Sequence, residues 1–346
     1  MESAKPYRII SQKQEKDGTA IITAEITAEE LERHKKEALR ELSANLSLPG
    51  FRKGFVPPAI AETHVPHGVL LEETAEETLR ATYPAILDEL DWEPVSAPRI
   101  SITKLAFGNP LAVTITTALA PHVTLPNYHA IAKKVLGTSE KIEATDEEVE
   151  TFVKELLALG KQNTGASTAE TSAPELTDEE ARKLGPFETA AALKTKIREN
   201  IEEQKRAELR RKKQEDLIER IAEASKCEPS SILVDEELEQ AKEQLKRELA
   251  EHKSSFEEFL ERAKKTEQEL WDEERKRIGR ALKARFVLEA IAEKEAIEAA
   301  PEEVEREYEA LQRRFAGARP DTAKAYLARV LKTEKTVGFL ENIGKE

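Results

Sequence analysis

Apolar and polar positions follow two rhythms along this chain. Near its start the period is two. In residues 19–27, Ala20, Ile22, Ala24 and Ile26 alternate with neighbours on the other face, and residues 6–12 precede them across an Asp17-Gly18 turn. The pair predicts a half-buried hairpin. A second pair, residues 99–107 and 111–119, meets at Gly108-Asn109-Pro110 and puts Leu111, Val113, Ile115, Thr117 and Leu119 on one face. Between the pairs the period lengthens to that of a helix. Thr27 with Glu30 three residues on reads as a capping box, opening a helix to about Leu46 with Leu31, Ala38, Leu39, Leu42 and Leu46 on its apolar side. Pro49-Gly50 stops it. Pro57-Pro58 starts a short helix that ends near residues 64–68. A third helix, residues 69–90, carries Leu71, Ala75, Leu79, Tyr83, Ile86, Leu87 and Leu90 on one stripe, with a kink predicted at Pro84. Strands, then helices, then strands predict an α+β domain over residues 1–120 with a small antiparallel sheet.

Residues 121–144 read as an extended linker with Pro121 and Pro126. A helix from 146 to about 162 opens on another capping box, Thr145 to Glu148, and the small polar residues 163–174 read as a flexible loop. Residues 121–174 together form the linking region. From 175 to 346 the pattern is helical throughout, with helices near 187–225, 231–251, 255–264, 267–297, 301–316 and 321–340. The fold class is mostly α: an α+β N-terminal domain followed by an extended multi-helix body with arms. Apolar positions thin out between Ile201 and Leu217, as in a strut solvated over much of its length.

Composition sharpens this picture. Apolar residues make up 39% of the 346 and charged residues 35%, which favours long solvated helices over one thick core. The net charge of -14 argues against DNA and against general nucleic-acid binding, so any RNA contact must be local. One cysteine, Cys227, excludes an intrachain disulfide and suits a cytoplasmic protein; beside Pro229 it reads as a small apolar packing residue. The start of the chain lacks the apolar core of a signal peptide, and no run has the length of a membrane span. His64 and His67 are separated by the helix breaker Pro66 and complete no ligand set, so no metal is expected. Histidines and the cysteine form no nucleophile–base pattern, and there is no phosphate-binding glycine loop. No catalytic residue and no cofactor are therefore expected.

Against this background residues 50–57, Gly-Phe-Arg-Lys-Gly-Phe-Val-Pro, stand out. They place an aromatic ring and two cations between glycines at the predicted tip of a helix pair. Residues 32–53 carry six Arg and Lys against three Glu, whereas residues 59–98 carry nine Asp and Glu against one Arg, so the small domain is polarised toward this loop. Arg52 and Lys53 suit phosphates or carboxylates, and Phe51 suits an apolar pocket or a base. Equally, the loop could be a basic turn with Phe51 folded back onto the core; the residues alone leave both readings open.

Gly-Phe-Arg-Lys-Gly-x-x-Pro after a hairpin and one helix resembles the ribosome-docking signature of trigger factor, the bacterial ribosome-associated chaperone family. The resemblance covers most of the chain: residues 1–120 resemble the ribosome-binding domain, 121–162 the linker and 175–346 the helical chaperone body. It implies that Phe51, Arg52 and Lys53 contact protein and RNA of the large ribosomal subunit near the polypeptide exit, that Gly50 and Gly54 let the loop bend, and that Pro57 starts the next helix. Phe55 stands where the family often has a lysine, which makes the grip more apolar. The resemblance also implies a cradle for unfolded or nascent polypeptides, working without ATP, for which Phe256, Phe259, Trp271, Phe315, Tyr326 and Phe339 are candidates. Leu238, Leu245, Leu282 and Phe286 are expected to pack between helices instead. The family's FKBP-like prolyl isomerase domain, roughly a hundred residues, has no counterpart: residues 161–175 are too few for a core, which needs about 40–60.

Two other functions compete. One is a prolyl isomerase like full-length relatives, which a proline-peptide turnover assay discriminates. The other is an off-ribosome helical scaffold, which tight binding to one folded protein would favour over broad suppression of aggregation.

Overall fold

The computed structural model describes residues 5–49, 51, 56–137, 141–164, 176–314 and 320–344. Its elements are β1 (Tyr7–Gln14), β2 (Thr19–Ile26), α1 (Ala28–Asn45), α2 (Pro58–His64), α3 (His67–Leu90), β3 (Arg99–Lys104), β4 (Leu111–Ala118), α4 (Tyr128–Leu136), α5 (Asp146–Thr164), α6 (Asp178–Leu184), α7 (Ala190–Ala224), α8 (Ser231–Glu251), α9 (Phe256–Ala263), α10 (Glu267–Lys294), α11 (Pro301–Arg314) and α12 (Pro320–Ile343). The fold is mostly helical with one small antiparallel sheet, as the periodicity predicts. The described residues divide into two compact units, one of residues 1–124 with 225–290, the other of 125–224 with 291–346.

In the first unit the sheet order is β1-β2-β4-β3, every neighbour antiparallel. Ile22 pairs with Ile115 and Ala24 with Val113, so the alternation that marked each strand puts both sets on one face. Helix α3 covers that face through Ala75, Leu79 and Ile86, and Ile22, Ile26, Leu111, Val113 and Ile115 are fully buried. Burial of each such side chain is worth about 1.5–3 kcal/mol. The hairpin turn depends on Gly18: its φ is +83°, and a Cβ there would lie 2.6 Å from the Leu119 carbonyl oxygen.

Helix α1 starts where the sequence placed it, with Thr27 Oγ1 accepting the Glu30 N–H at 3.3 Å. Its neighbour α3 buries Thr74, Thr78 and Thr82, whose hydroxyls donate to the carbonyls of Leu70, Thr74 and Thr78 at 2.6–2.8 Å. Each buried hydroxyl is thereby satisfied inside its own helix. Pro84 lies within α3, which continues to Leu90 and ends at Asp91 in the left-handed region. Helices α8 and α10 run alongside each other through Arg285–Glu237 at 4.0 Å and an Arg275–Asp235 pair. Ser230 caps α8 and shares a 2.8 Å hydrogen bond with Thr19 of the hairpin.

The second unit holds two corrections. Residues 121–144 are not extended throughout, because α4 forms at Tyr128–Leu136. Asn127 caps it by accepting the Ala130 N–H at 3.1 Å, and Tyr128, Ala132 and Val135 bury one face. Likewise the body gains a short helix that the pattern did not mark, ahead of the long helix expected near 187–225 and found as α7. This is α6, opened by a reciprocal capping box of Thr177 and Glu180 and ended at Gly185. Helices α5, α6 and α7 share a core of Val149, Val153, Leu157, Ala181, Leu193 and Ile197. Between Ile197 and Leu217, α7 buries no side chain, as the thinning of its apolar positions predicts. There Arg210 forks onto the buried carboxylate of Glu341 through Nε at 3.1 Å and Nη2 at 2.5 Å.

Candidate functional site

The loop flagged in the sequence joins α1 to α2. Its two stems are anchored in a second small core, separate from the sheet core. Ala38 and Leu39 of α1, Val56, Ala61 of α2 and Leu70 of α3 are buried in it, with Leu46 and Leu48 packed alongside. Val56, just after the loop, is only 4% exposed. Pro57 caps α2 with φ -59° and ψ 140°, the geometry a proline holds without strain, and stays exposed. Phe51 is 38% exposed and takes no part in that core; its N–H donates to the Leu48 carbonyl at 3.1 Å. The ring therefore does not fold back onto the core. Gly50, Arg52, Lys53, Gly54 and Phe55 lie outside the described residues.

The exposed charges of the helix leading to the loop are mixed, Arg33, Lys36 and Arg40 among Glu29, Glu32, Glu37 and Glu41. Lys35 is held by Glu62 at 2.9 Å and by Glu32 at 3.7 Å, its Nζ lies 5.0 Å from the centre of the Phe107 ring, and the Glu62 bond raises its pKa above the ordinary value. Among the described residues, the exposed Lys36 and Arg40 make no ion pair. Carboxylates also collect on this helix pair, where Arg80 Nη1 meets Glu77 at 2.5 Å and Glu41 at 3.9 Å. Burial, and then the charges of Glu76, Glu41 and Glu77, push the nearby Glu73 carboxyl above its usual range. The excess of cations read in the sequence over residues 32–53 therefore rests largely on Arg52 and Lys53, which lie outside the described residues.

Of the six apolar candidates in the body, three meet. Phe256 stacks on Trp271 at 6.0 Å and on Phe259 at 6.5 Å between ring centres. Lys242, on a different helix and unmarked by any local pattern, places its Nζ over the Trp271 ring at 5.6 Å. Ser255 opens α9 with a reciprocal capping box to Glu258, and no residue of α9 is buried. Its aromatics are half-buried by one another. Tyr326 is 57% exposed on α12 under Arg329. Phe339 is half-buried and meets His129 edge-on at 6.2 Å, on the helix that sequence reasoning overlooked. Phe315 lies outside the described residues. Leu238, Leu282 and Phe286 are buried and Leu245 is half-buried. Cys227 is buried too, which pushes its thiol above the usual range. Among the described residues no helix is long and apolar enough to cross a membrane.

Two family models match this architecture. The one for the bacterial trigger factor protein matches residues 9–156, and the one for the trigger factor C-terminus matches residues 189–338. The chain belongs to the trigger factor family. Its role is accordingly that of a chaperone in protein folding. Trigger factor of Agathobacter rectalis is 26% identical over 390 residues, covering 89% of this chain and 88% of that one. Trigger factor of Carboxydothermus hydrogenoformans is 26% identical over 415 residues, covering 92% and 95%. Trigger factor of Mycolicibacterium smegmatis is 34% identical over 137 residues, 40% of this chain and 28% of that one. The first two alignments are longer than this chain, so those relatives carry residues without a counterpart here. The shortfall lies at 157–188, between the two matched regions, where the isomerase domain belongs. A solved chain from a study of promiscuous substrate recognition in folding and assembly by the trigger factor chaperone has a TM-score of 0.51 at 19% identity, covering 96% of this chain and 99% of that one. That likeness supports the fold.

Proposed function

We propose that this trigger factor is a ribosome-associated, ATP-independent holdase for nascent and unfolded polypeptides. The observation that carries the reading is Phe51: an exposed ring whose loop stems are clamped by Leu48 and Val56. A ring carried between anchored stems loses less entropy when it docks. Arg52 and Lys53 beside it in sequence supply charge for ribosomal RNA and protein, and Gly50, Gly54, Phe55 and Pro57 belong to the same docking motif. Docking raises the effective concentration of the body near an emerging chain, so weak contacts suffice for holding. The stack of Phe256, Phe259 and Trp271 offers such contacts, with Tyr326, Phe339 and Phe315 as further candidates. Apolar rings that rest mainly on one another exchange partners readily, so release needs no nucleotide.

The test is co-sedimentation with isolated ribosomes. Replacing Phe51, Arg52 and Lys53 by Ala is expected to abolish it while helicity stays unchanged. Undiminished ribosome binding by that variant would overturn the assignment.

A further inference from the structure

In a chain of net charge -14, unpaired cations that meet in one place call for an explanation. Within the first unit many lysines and arginines have carboxylate partners: Lys13 with Glu15, Lys35 with Glu62, Lys242 with Glu239, Arg277 with Glu274. Three that do not, Lys16, Lys226 and Lys283, line one groove of about 700 Å³, with His122 and Thr124 on its wall, and among the described residues none of the three lysines makes an ion pair.

The local structure explains why they converge. Thr124 and Lys226 exchange backbone hydrogen bonds at 3.0 and 3.1 Å in an antiparallel bridge. Directly opposed residues in such a bridge project to the same side. Lys16 comes from the β1–β2 turn, whose shape Gly18 fixes, and Lys283 from α10. Lys283 is half-buried, and its charge reaches the buried Cys227 thiol, where it opposes the upward push of burial. An ammonium group partly removed from water without a counter-ion gains most from an incoming anion.

We infer that this groove binds carboxylate-bearing segments of polypeptide clients, holding acidic side chains between Lys16, Lys226 and Lys283. The inference rests on the holdase reading and adds a second grip of opposite character to the aromatic stack. A polypeptide fits better than RNA on two grounds. The net charge of the chain repels a continuous polyanion, and Glu15 and Glu228 in the same lining tolerate isolated carboxylates but not a run of phosphates.

The experiment uses the full chain and two fluorescent unstructured peptides, one with a few well-spaced Glu residues (the Glu peptide) and its Gln-substituted counterpart. The intact protein is expected to bind the Glu peptide more tightly than the Gln peptide, with the difference shrinking as salt rises. Lys16→Gln with Lys226→Gln and Lys283→Gln should remove the difference, a loss of about tenfold in affinity for the Glu peptide. Lys16 and Lys226 are exposed, so the double variant at those two sites tests the idea without risk to folding and should lose part of the difference. Equal binding of the two peptides by the intact protein, or a preference that survives the triple substitution, would refute the groove. So would displacement of the Glu peptide by an RNA oligomer at lower concentration than by unlabelled Glu peptide. Suppression of aggregation of an uncharged apolar client by the triple variant should match the intact protein. Its failure in the intact protein would count against the holdase reading alone, since peptide binding is read separately.

Discussion

Ile22 and Ile115 are sealed in the sheet of the first unit, whereas Phe256, Phe259 and Trp271 of the same unit stay half-exposed and stack on each other. Both sets are large and apolar. The difference lies in what each rests on. Strand residues of period two face a helix laid across the sheet, so every second side chain is buried whole. The aromatics of α9 and α10 sit where two helices are joined by a short third helix that buries nothing. Apolar area that is not committed to the fold remains available to a partner.

The contrast is broken or sharpened first by truncation. Ile115→Ala is expected to cost about 2–5 kcal/mol in urea unfolding, while Trp271→Ala should cost about 1 kcal/mol. Equal losses would mean that the stack is core. Next, Phe256, Phe259 and Trp271 all changed to Ala should weaken suppression of client aggregation several-fold while the unfolding midpoint moves little. A smaller effect is expected at α6, which packs on α5 and α7: Thr177→Ala should cost about 1 kcal/mol through the lost cap, seen as faster amide exchange in α6.

The smallest effects are electrostatic and opposite in sign. Glu148 is held below the ordinary 4.5 by its bond to Lys205 and then by the Thr145 backbone. Its stabilisation is full above pH 4.5 and is lost as pH falls through the lowered folded value. Lys205→Met should flatten that acid limb of the stability profile. Glu73 is raised above 4.5 by burial, so its carboxylate weakens the fold as pH climbs from 4.5 through the raised folded value. Glu73→Gln should therefore stabilise the protein slightly at neutral pH, and no change would mean that water reaches the carboxyl.

Much of this was legible in the sequence because the signals were local. Alternation in residues 19–27 and 111–119 marked the strands, and Thr27 and Thr145 marked helix starts. Helix α4 escaped because it is nine residues long and follows Pro126, which reads as punctuation; its cap, Asn127, was the signal available. Helix α6 escaped although Thr177 and Glu180 have capping-box spacing, because the polar stretch before them drew the eye to a loop. The meeting of Phe256 with Trp271 beneath Lys242, and of Lys16 with Lys226 and Lys283, was not legible. These residues come from separate elements, and only the packing of the chain brings them together. At the tip, the pattern Gly-Phe-Arg-Lys-Gly singled out the loop, but whether Phe51 pointed outward depended on Val56 and Leu48 filling the core below it.

The most direct test of the central claim is a photo-crosslinker in place of Phe51, activated on isolated ribosomes. The docking account predicts crosslinks to large-subunit protein or RNA beside the polypeptide exit, lost when Arg52 and Lys53 are changed to Ala. Crosslinks scattered over the ribosomal surface, or none at all from a folded and active protein, would contradict it.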